Sequence, residues 1–223
     1  MRYSNLKEEQ KLWKKGYNCI ACIDEAGRGP LAGPVVASAV CILDLAKDSL
    51  TRLSLLKMQD SKQLSWKQRE KFYVMLMTQA CMEWGIGIVS EKVIDRINIF
   101  QATKLAMKKA VKDLQAKLKK KHRNIDILVI DGTKGIESSL PQLCIVKADE
   151  KVFSCSAASV IAKVTRDRIM LRYHKKYPQY GFDKHKGYGT KLHVRRLRSH
   201  GPCPIHRMSF RPCLVGRHAC KSF

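Results

Sequence analysis

Two adjacent carboxylates, Asp24 and Glu25, follow an apolar segment and open a turn rich in glycine and proline. The apolar segment, residues 20–23, has the character of a buried strand. Carboxylates in a cleft that excludes water must be paired, protonated or bound to a cation. Because Mg²⁺ and Mn²⁺ take oxygen ligands, the acidic pair with Arg28 in the turn indicates a metal site that faces a phosphate. For Asp24 and Glu25 alone, an ordinary acidic surface turn is the alternative.

Two further acids follow apolar runs of strand length. Asp131 comes directly after residues 125–130, and Asp149 comes shortly after residues 143–146. Ligand sites of open α/β sheets gather at strand ends, so we expect these acids to converge with Asp24 and Glu25. Glu150 is adjacent to Asp149 and is the alternative to it. Such a cluster could hold two divalent cations and hydrolyse a phosphodiester.

The charge of the chain indicates a polyanionic partner. An excess of 43 Lys and Arg over 19 Asp and Glu gives a net charge of +24, which favours nucleic acid. Residues 1–16 lack the apolar core of a secretory signal, and no apolar run is long enough to span a bilayer. The nine cysteines are odd in number and scattered, which favours reduced thiols and a cytoplasmic location. The spacing of the cysteines near the end disfavours a zinc site.

The hydrophobic pattern predicts one α/β domain, because strand and helix patterns alternate without internal repeats. Five strands are predicted near residues 18–24, 35–43, 84–89, 125–130 and 143–147, with the second antiparallel to the first. Residues 1–16 are predicted to be an amphipathic lead-in that docks through Leu6, Leu12 and Trp13. Four further helices are predicted: residues 66–82 with a capping box of Ser65 and Gln68, a short helix after Ser90, a longer one after Asn98, and residues 154–177 before Pro178.

Residues 24–34, Asp-Glu-Ala-Gly-Arg-Gly-Pro-Leu-Ala-Gly-Pro, resemble the signature of type 2 ribonucleases H, the bacterial ribonuclease HII family. The turn Gly27-Arg28-Gly29 favours this family over the sister HIII type. Ala148 departs from the family pattern, since many bacterial members have glycine there. Other blocks similar to those of the family follow in the same order: Asp60-Ser61-Lys62, Leu64-Ser65, Asn98-Ile99, Ala102-Thr103, Ile130-Asp131-Gly132, Ser156-Ala157-Ala158-Ser159, Ala162-Lys163-Val164-Thr165-Arg166-Asp167, Tyr180-Gly181-Phe182, His185-Lys186-Gly187-Tyr188, His206-Arg207 and Ser209-Phe210.

The resemblance implies a ribonuclease H-like fold, with a mixed five-stranded sheet flanked by helices and a small C-terminal helical extension. It divides the chain into a catalytic domain, residues 1–186, and a C-terminal helical extension with a basic tail, residues 187–223. The implied activity is an endonuclease that hydrolyses the RNA strand of RNA–DNA hybrids. The enzyme would also cut 5′ of ribonucleotides embedded in duplex DNA, by two-metal-ion catalysis with Mg²⁺ or Mn²⁺, and leave 5′-phosphate and 3′-OH ends.

The resemblance also implies a role for individual residues. The catalytic and metal-binding acids would be Asp24, Glu25, Asp131 and Asp149. The ribonucleotide would be recognised by Gly27, Arg28, Gly29 and Tyr188, because backbone amides without a Cβ can approach a sugar and its 2′-OH.

Basic residues along the chain are candidates for contacts with the phosphates of the substrate. We expect phosphate contacts from Lys62, Lys163, Lys186, Arg166 and Arg195. For Arg166, a structural pair with Asp167 within its helix is the alternative. His185 and His206 are expected to be structural residues or phosphate neighbours.

Two other functions compete with the nuclease. A non-catalytic basic nucleic-acid-binding module would explain the charge but not the acids at three strand ends. A metal-dependent phosphatase for small substrates would explain the acids but not the charge. We expect a monomer. The sequence does not identify a protein partner, and the residues after Phe210 lack a clear aromatic clamp-binding motif.

Overall fold

Five strands form one mixed sheet in the computed structural model, which describes residues 3–43 and 64–213. The strands are β1 (Ile20–Ala26), β2 (Val35–Ile42), β3 (Met82–Val89), β4 (Ile127–Asp131) and β5 (Gln142–Ile145). Their order is β3-β2-β1-β4-β5. Strands β1, β2 and β3 pair antiparallel, whereas β1, β4 and β5 pair parallel. The predicted mixed sheet of five strands and its antiparallel β1–β2 pair are confirmed.

The parallel register of β1 and β4 brings two acids side by side. Ile23 of β1 is paired with Ile130 of β4, so Asp24 and Asp131 come next on neighbouring strands at the same edge of the sheet. Side chains alternate between the two faces of a strand. The two acids therefore lie on the same face, opposite to the face of Ile23 and Ile130.

Each face of the sheet is covered by one long helix, as expected for strands that are buried on both sides. On the first face, Ile23, Ala39 and Ile130 belong to the same core cluster as Ala106 and Leu114 of helix α3 (Glu91–Lys119). On the second face, Val40 and Ile42 of β2 pack with Ala157 and Ile161 of helix α5 (Phe153–Lys176). Asp24 and Asp131 follow Ile23 and Ile130, so they face the α5 side.

The remaining helices connect these layers. They are α1 (Lys7–Lys14), α2 (Trp66–Met77), the short α4 (Ala148–Lys151), a 3₁₀ turn (Pro178–Tyr180), the short α6 (Phe182–His185) and α7 (Lys191–His200). The docking of the lead-in is confirmed, since Leu6 and Leu12 are buried and Trp13 packs against the core. Among the described residues, no helix has the length and apolar character needed to cross a membrane.

Capping side chains fix several helix ends at the positions that the sequence predicts. The Ser65 hydroxyl accepts a hydrogen bond from the Gln68 N–H, and the Gln68 side chain accepts one from the Ser65 N–H, which completes the capping box. Asn98 interrupts α3 with non-helical dihedral angles, φ 63° and ψ 165°, and its side chain caps Gln101 N–H at 3.1 Å. Helix α2 ends earlier than predicted, because β3 already begins at Met82.

The C-terminal part of the described chain packs on the glycine-rich turn after β1. Leu31 N–H donates to the Gly187 carbonyl at 2.8 Å, and Arg207 N–H donates to the Leu31 carbonyl at 2.8 Å. Gly33 N–H donates to the Ile205 carbonyl at 2.8 Å. Residues 187–213 are therefore a support for the turn. The division of the chain at residue 186 stays a prediction.

Candidate active site

Three carboxylates meet at the carboxyl edge of the central strands. Asp24 lies near the end of β1, Asp131 is the last residue of β4, and Asp149 lies in α4. Each offers an oxygen, and these oxygens all lie within 4.8 Å of one another. Asp24 and Asp149 are buried, and Asp131 is half-buried. The expected convergence of acids from separate elements is thus present for these three residues.

The chain reaches Asp149 through a tight turn. Strand β5 ends at Ile145, so Asp149 lies in the four-residue helix α4 and not at the end of a strand, as the apolar run suggested. Lys147 adopts a left-handed conformation, with φ 58°, just before this helix. Ala148 N–H then donates to Asp131 Oδ1 at 2.7 Å. This bond fastens the start of α4 to the end of β4 and places Asp149 beside Asp131.

The electrostatics of the cluster disfavour full ionisation without a cation. Asp24 accepts hydrogen bonds from Glu25 N–H at 2.7 Å and from the Ser159 hydroxyl. Burial nevertheless raises the pKa of Asp24 well above its usual range, and the carboxylates of Glu25 and Asp131 raise it further. Like charges held close together in a desolvated site favour the binding of a cation. Because hard divalent cations prefer oxygen ligands, the three carboxylates fit such an ion.

Glu25 and Glu150 lie outside this group of three acids. Strand β1 continues through Ala26, so Glu25 and Asp24 are on opposite faces of an unbroken strand. The Glu25 carboxylate accepts a hydrogen bond from the Arg28 guanidinium at 3.2 Å. Glu150, the alternative to Asp149, forms an ion pair with Lys147 at 2.9 Å. The geometry therefore favours Asp149 over Glu150 as the partner of Asp24 and Asp131.

Two buried arginines hold the glycine-rich turn that follows Glu25. Arg166 donates to the carbonyls of Ala32, Pro34 and Lys186 at 2.9 to 3.0 Å. Arg207 donates to the carbonyls of Gly27, Arg28, Gly33 and Pro34 at 2.6 to 3.1 Å. Both side chains are fully buried.

The predicted phosphate contact by Arg166 is therefore wrong, because the backbone of the turn already occupies its guanidinium. Among the ion pairs of the described residues, Asp167 is paired with Lys163 at 2.9 Å and not with Arg166.

The two glycines around Arg28 have different surroundings. Gly27 has a φ of +99°, and a Cβ there would lie 2.8 Å from the Pro34 carbonyl and would also collide with the Arg166 side chain. Apart from its two chain neighbours, no heavy atom of the described residues lies within 4 Å of the position that a Cβ on Gly29 would take. Gly27 is thus required by the packing of the turn, whereas the backbone at Gly29 has open space beside it.

A basic cleft contains three of the residues predicted to bind substrate. Lys163, Lys186 and Tyr188 line a cleft of about 520 Å³ together with Trp66 and Arg69. The Tyr188 side chain is exposed, and the Lys163 ammonium lies 5.4 Å from the centre of its ring. Burial lowers the pKa of Lys186, whose ammonium donates to the Asp183 carbonyl. Lys62 lies outside the described residues, and Arg195 is an exposed residue of α7.

Sequence reasoning missed Arg207, His193 and Ser159 as parts of this site. Arg207 and Ser159 belong to the family-like blocks His206-Arg207 and Ser156–Ser159. The sequence of a block does not reveal which atoms its side chains contact. His193 stands in a polar helix pattern without a local signal. His185 and His206, expected to be structural or to lie near phosphate, are both buried.

A ribonuclease H-like mixed sheet with an acidic cluster at the ends of its central strands defines a class of metal-dependent nucleases. The sequence model of the family "Ribonuclease HII" matches residues 21–213. The chain belongs to the ribonuclease HII family, metal-dependent type 2 ribonucleases H that hydrolyse RNA in RNA–DNA hybrids.

Individual proteins agree with the family match. The ribonuclease HII of Acetivibrio thermocellus is 50% identical over 203 residues, which cover 91% of this chain and 73% of that protein. The structure of ribonuclease H2 from Pyrococcus horikoshii is 25% identical with a TM-score of 0.71, covering 90% of this chain and 98% of that chain. The RNase HII of Archaeoglobus fulgidus, solved as a complex with PCNA, is 27% identical with a TM-score of 0.68. The match covers 86% of this chain and 95% of that chain.

Proposed function

We propose that this chain cuts duplex DNA on the 5′ side of a single embedded ribonucleotide, in addition to cutting the RNA strand of hybrids. The products are a 3′-OH on the DNA side and a 5′-phosphate on the ribonucleotide. The observation that carries the proposal is the adjacency of the acidic cluster, the glycine turn and the cleft of Tyr188. Asp24 and the turn are consecutive in the chain, and Leu31 N–H is bonded to the carbonyl of Gly187, next to Tyr188.

The acids supply the ligands for divalent cations. Asp24, Asp131 and Asp149 would hold Mg²⁺ or Mn²⁺ through their clustered oxygens. The Glu25 carboxylate lies outside the cluster but close enough to raise the pKa of Asp24, and it would join the set by turning from Arg28 to the cation. Bound divalent cations activate a water molecule and stabilise the charge that develops on a phosphate and its leaving oxygen. Asp24 accepts hydrogen bonds from Ser159 and from the Glu25 N–H, which fix the orientation of its carboxylate.

The glycine turn and Tyr188 supply the recognition of the ribonucleotide. The open space beside Gly29 allows a sugar to approach the backbone without a steric block. The 2′-OH is the group that distinguishes RNA from DNA at a given position. Tyr188 is 42% exposed, so its ring can pack against a sugar and its hydroxyl can donate a hydrogen bond.

The basic groups of the cleft supply contacts with the phosphates on either side of the cut. Lys163 lies in the cleft near the Tyr188 ring, and Lys186 lies on the same wall. We assign phosphate contacts to both, and to Lys62 from the sequence alone. Because each such contact releases counterions, the affinity for duplex should fall steeply as the salt concentration rises.

A duplex with one ribonucleotide in one strand, resolved at single-nucleotide length, tests the proposal. With Mg²⁺ we expect one cut, 5′ of the ribonucleotide, and no cut in the all-DNA control or in EDTA. Tyr188→Phe should lose about one hydrogen bond, about 1 kcal/mol, and Tyr188→Ala should lose more because the packing of the ring is removed. Cutting only within runs of several ribonucleotides, or an unaffected cut in Tyr188→Ala, would contradict the assignment.

We also propose that the chain acts as a monomer in the cytoplasm. The eight cysteines among the described residues are all free thiols, as expected for a reducing compartment. Light scattering during size-exclusion chromatography measures the oligomeric state, and a mass near twice 25.4 kDa would contradict the monomer.

A further inference from the structure

Three buried histidines lie beneath the segment that carries Tyr188. His185 ends α6, His193 lies in α7, and His206 lies in the loop that follows α7. The rings of His185 and His193 are stacked with their centres 4.3 Å apart. His193 Nε2 lies 3.0 Å from His206 Nε2. A contact between two ring nitrogens at this distance needs one hydrogen between them, so one ring must donate and the other must accept.

The backbone at one end of this pair assigns the tautomer of His206. Cys203 N–H donates to His206 Nδ1 at 2.9 Å, and an amide nitrogen can only donate. The Cys203 carbonyl is 3.3 Å from the same Nδ1, but it already accepts from His206 N–H at 2.9 Å. His206 Nδ1 therefore carries no hydrogen. A neutral His206 then carries its hydrogen on Nε2, directed at His193.

The backbone at the other end assigns the tautomer of His193 independently. His193 Nδ1 lies 2.9 Å from the Tyr188 carbonyl oxygen, which can only accept. Nδ1 must therefore carry the hydrogen, and a neutral His193 leaves Nε2 free to accept from His206. The two backbone groups thus require complementary tautomers. The result is one directed chain of hydrogen bonds from Cys203 N–H through both rings to the Tyr188 carbonyl.

We propose that His193 and His206 are positioning residues, whose directed hydrogen bonds fix the backbone of Tyr188 and thereby its ring over the ribonucleotide. This inference rests on the proposed function, which assigns recognition to Tyr188. The side chain of Tyr188 is exposed, and the cations of Lys163 and Arg166 lie 5.4 and 5.8 Å from the centre of its ring. Its carbonyl also accepts from Thr190 N–H at 2.8 Å, and its N–H donates to the His185 carbonyl at 2.9 Å.

The hydrogen bonds run in one direction, from Cys203 N–H to the Tyr188 carbonyl, only while both rings are neutral. An extra proton on either ring would place two N–H groups against each other. The pKa values of His193 and His206 are lowered to about 4, mainly by burial and in part by the neighbouring histidines. The titratable groups that contact the pair include His185, stacked on His193, Tyr180, whose ring centre lies 4.9 Å from that of His206, and Cys203, whose N–H is bonded to His206. Among them, His185 is itself held neutral, since burial lowers its pKa and Gly187 N–H donates to its Nδ1.

Two substitutions of one residue separate positioning from simple packing. In His193→Asn, the amide nitrogen occupies the place of Nδ1 and can still donate to the Tyr188 carbonyl. In His193→Gln, the amide reaches towards His206 but loses the donor to Tyr188. On the duplex with a single ribonucleotide, we expect kcat/KM to fall about fivefold to tenfold for His193→Gln and less than about threefold for His193→Asn. Equal losses for both variants would overturn the proposal.

Combining His193→Gln with Tyr188→Ala tests whether the effect passes through Tyr188. In the Tyr188→Ala background, His193→Gln should cause less than a twofold further loss, because the ring to be positioned is gone. The same loss in both backgrounds would overturn the proposal. If the unmodified protein does not cut at a single ribonucleotide, the proposed function fails.

The tautomers themselves can be read without any substrate. Nitrogen-15 NMR of the histidine rings should show the hydrogen on Nδ1 of His193 and on Nε2 of His206. The opposite tautomers, or a charged ring at pH 7, would overturn the positioning chain whatever the activity of the enzyme.

Discussion

Two regions on either side of Glu25 bury charge in opposite ways. At the sheet edge, the oxygens of Asp24, Asp131 and Asp149 lie within 4.8 Å of one another. Beneath the glycine turn, Arg166 and Arg207 are fully buried, and their guanidinium groups donate to six backbone carbonyls, of which that of Pro34 accepts from both. One region gathers like charges, and the other surrounds each charge with acceptors from the same chain.

The difference separates a preformed support from an incomplete binding site. The carbonyls around the arginines belong to the turn, so the turn and the guanidiniums fix each other without a ligand. Hydrogen bonds also reach Asp24 and Asp131, but they do not cancel the negative charge, and the pKa of Asp24 stays raised. A bound cation would supply the positive charge that these hydrogen bonds do not.

The largest effect is expected from removing a charge at the sheet edge. Asp131→Asn should lower kcat by more than about a thousandfold, because several kcal/mol of charge stabilisation by bound metal would be lost. Affinity for hybrid should stay the same or rise, since one negative charge facing phosphate is removed. Initial rates with saturating Mg²⁺ and a mobility-shift titration measure the two effects.

Glu150→Gln is the matched control for this prediction. Glu150 pairs with Lys147 and lies outside the cluster, so its rate should stay within about threefold of normal. A folded Asp131→Asn protein that cuts at a normal rate would refute the assignment of the cluster.

The next effect concerns the support beneath the turn. Arg207→Met leaves the carbonyls of Gly27, Arg28, Gly33 and Pro34 without this donor, so we expect a loss of about 3–5 kcal/mol in the free energy of unfolding. Arg207→Lys should recover only a part of it, because one ammonium cannot reproduce the planar fork. Denaturant unfolding measures both. Arg195→Met, at an exposed position, is the control and should change stability by less than about 0.5 kcal/mol.

A smaller and more selective effect is expected at the two glycines. Gly27→Ala should cost about 1–3 kcal/mol of stability, because its φ of +99° and the nearby Pro34 carbonyl disfavour a Cβ. Gly29→Ala should leave stability within about 0.5 kcal/mol but lower kcat/KM on the single-ribonucleotide duplex, because its methyl group would enter the open space beside the turn. Thermal unfolding measures the stability of both variants, and cleavage assays measure their kcat/KM. Normal cleavage by Gly29→Ala would show that no sugar approaches there.

Much of the sheet could be predicted because its information is local. Apolar runs of strand length mark β1, β2 and β4, and Ser65, Asn98 and Pro178 mark helix boundaries through their own side-chain or ring chemistry. The convergence of Asp24 and Asp131 followed from one rule about strand ends, whereas Asp149 joins them from helix α4, beyond the end of β5. These features need no knowledge of distant contacts.

The errors and omissions concern contacts between distant parts of the chain. Arg166 was expected to bind phosphate, yet its partners are backbone carbonyls from Ala32 and Pro34, more than 130 positions earlier. No composition or periodicity indicates which backbone oxygens a buried guanidinium will meet. The position of Glu25 depended on whether β1 ends at Asp24 or continues to Ala26, and pairing with β2 through Ala26 and Val36 decided it.

The most direct test of the contrast is thermal unfolding of the unmodified protein and of Asp24→Asn, each without metal and with Mg²⁺. Because the folded-state pKa of Asp24 is raised, the protonated carboxyl stabilises the fold fully at low pH, and this contribution is lost as pH rises through that pKa. At neutral pH without metal, Asp24→Asn should therefore melt about 2–6 °C higher than the unmodified protein. This advantage should shrink towards pH 4.

Mg²⁺ should raise the melting temperature of the unmodified protein by several degrees at neutral pH and that of Asp24→Asn much less, since the variant lacks one ligand and one charge. That pattern would show that the buried, clustered carboxylates destabilise the folded protein unless a cation is bound. A metal-free Asp24→Asn protein that melts lower than the unmodified one, or an equal response of both to Mg²⁺, would contradict the account.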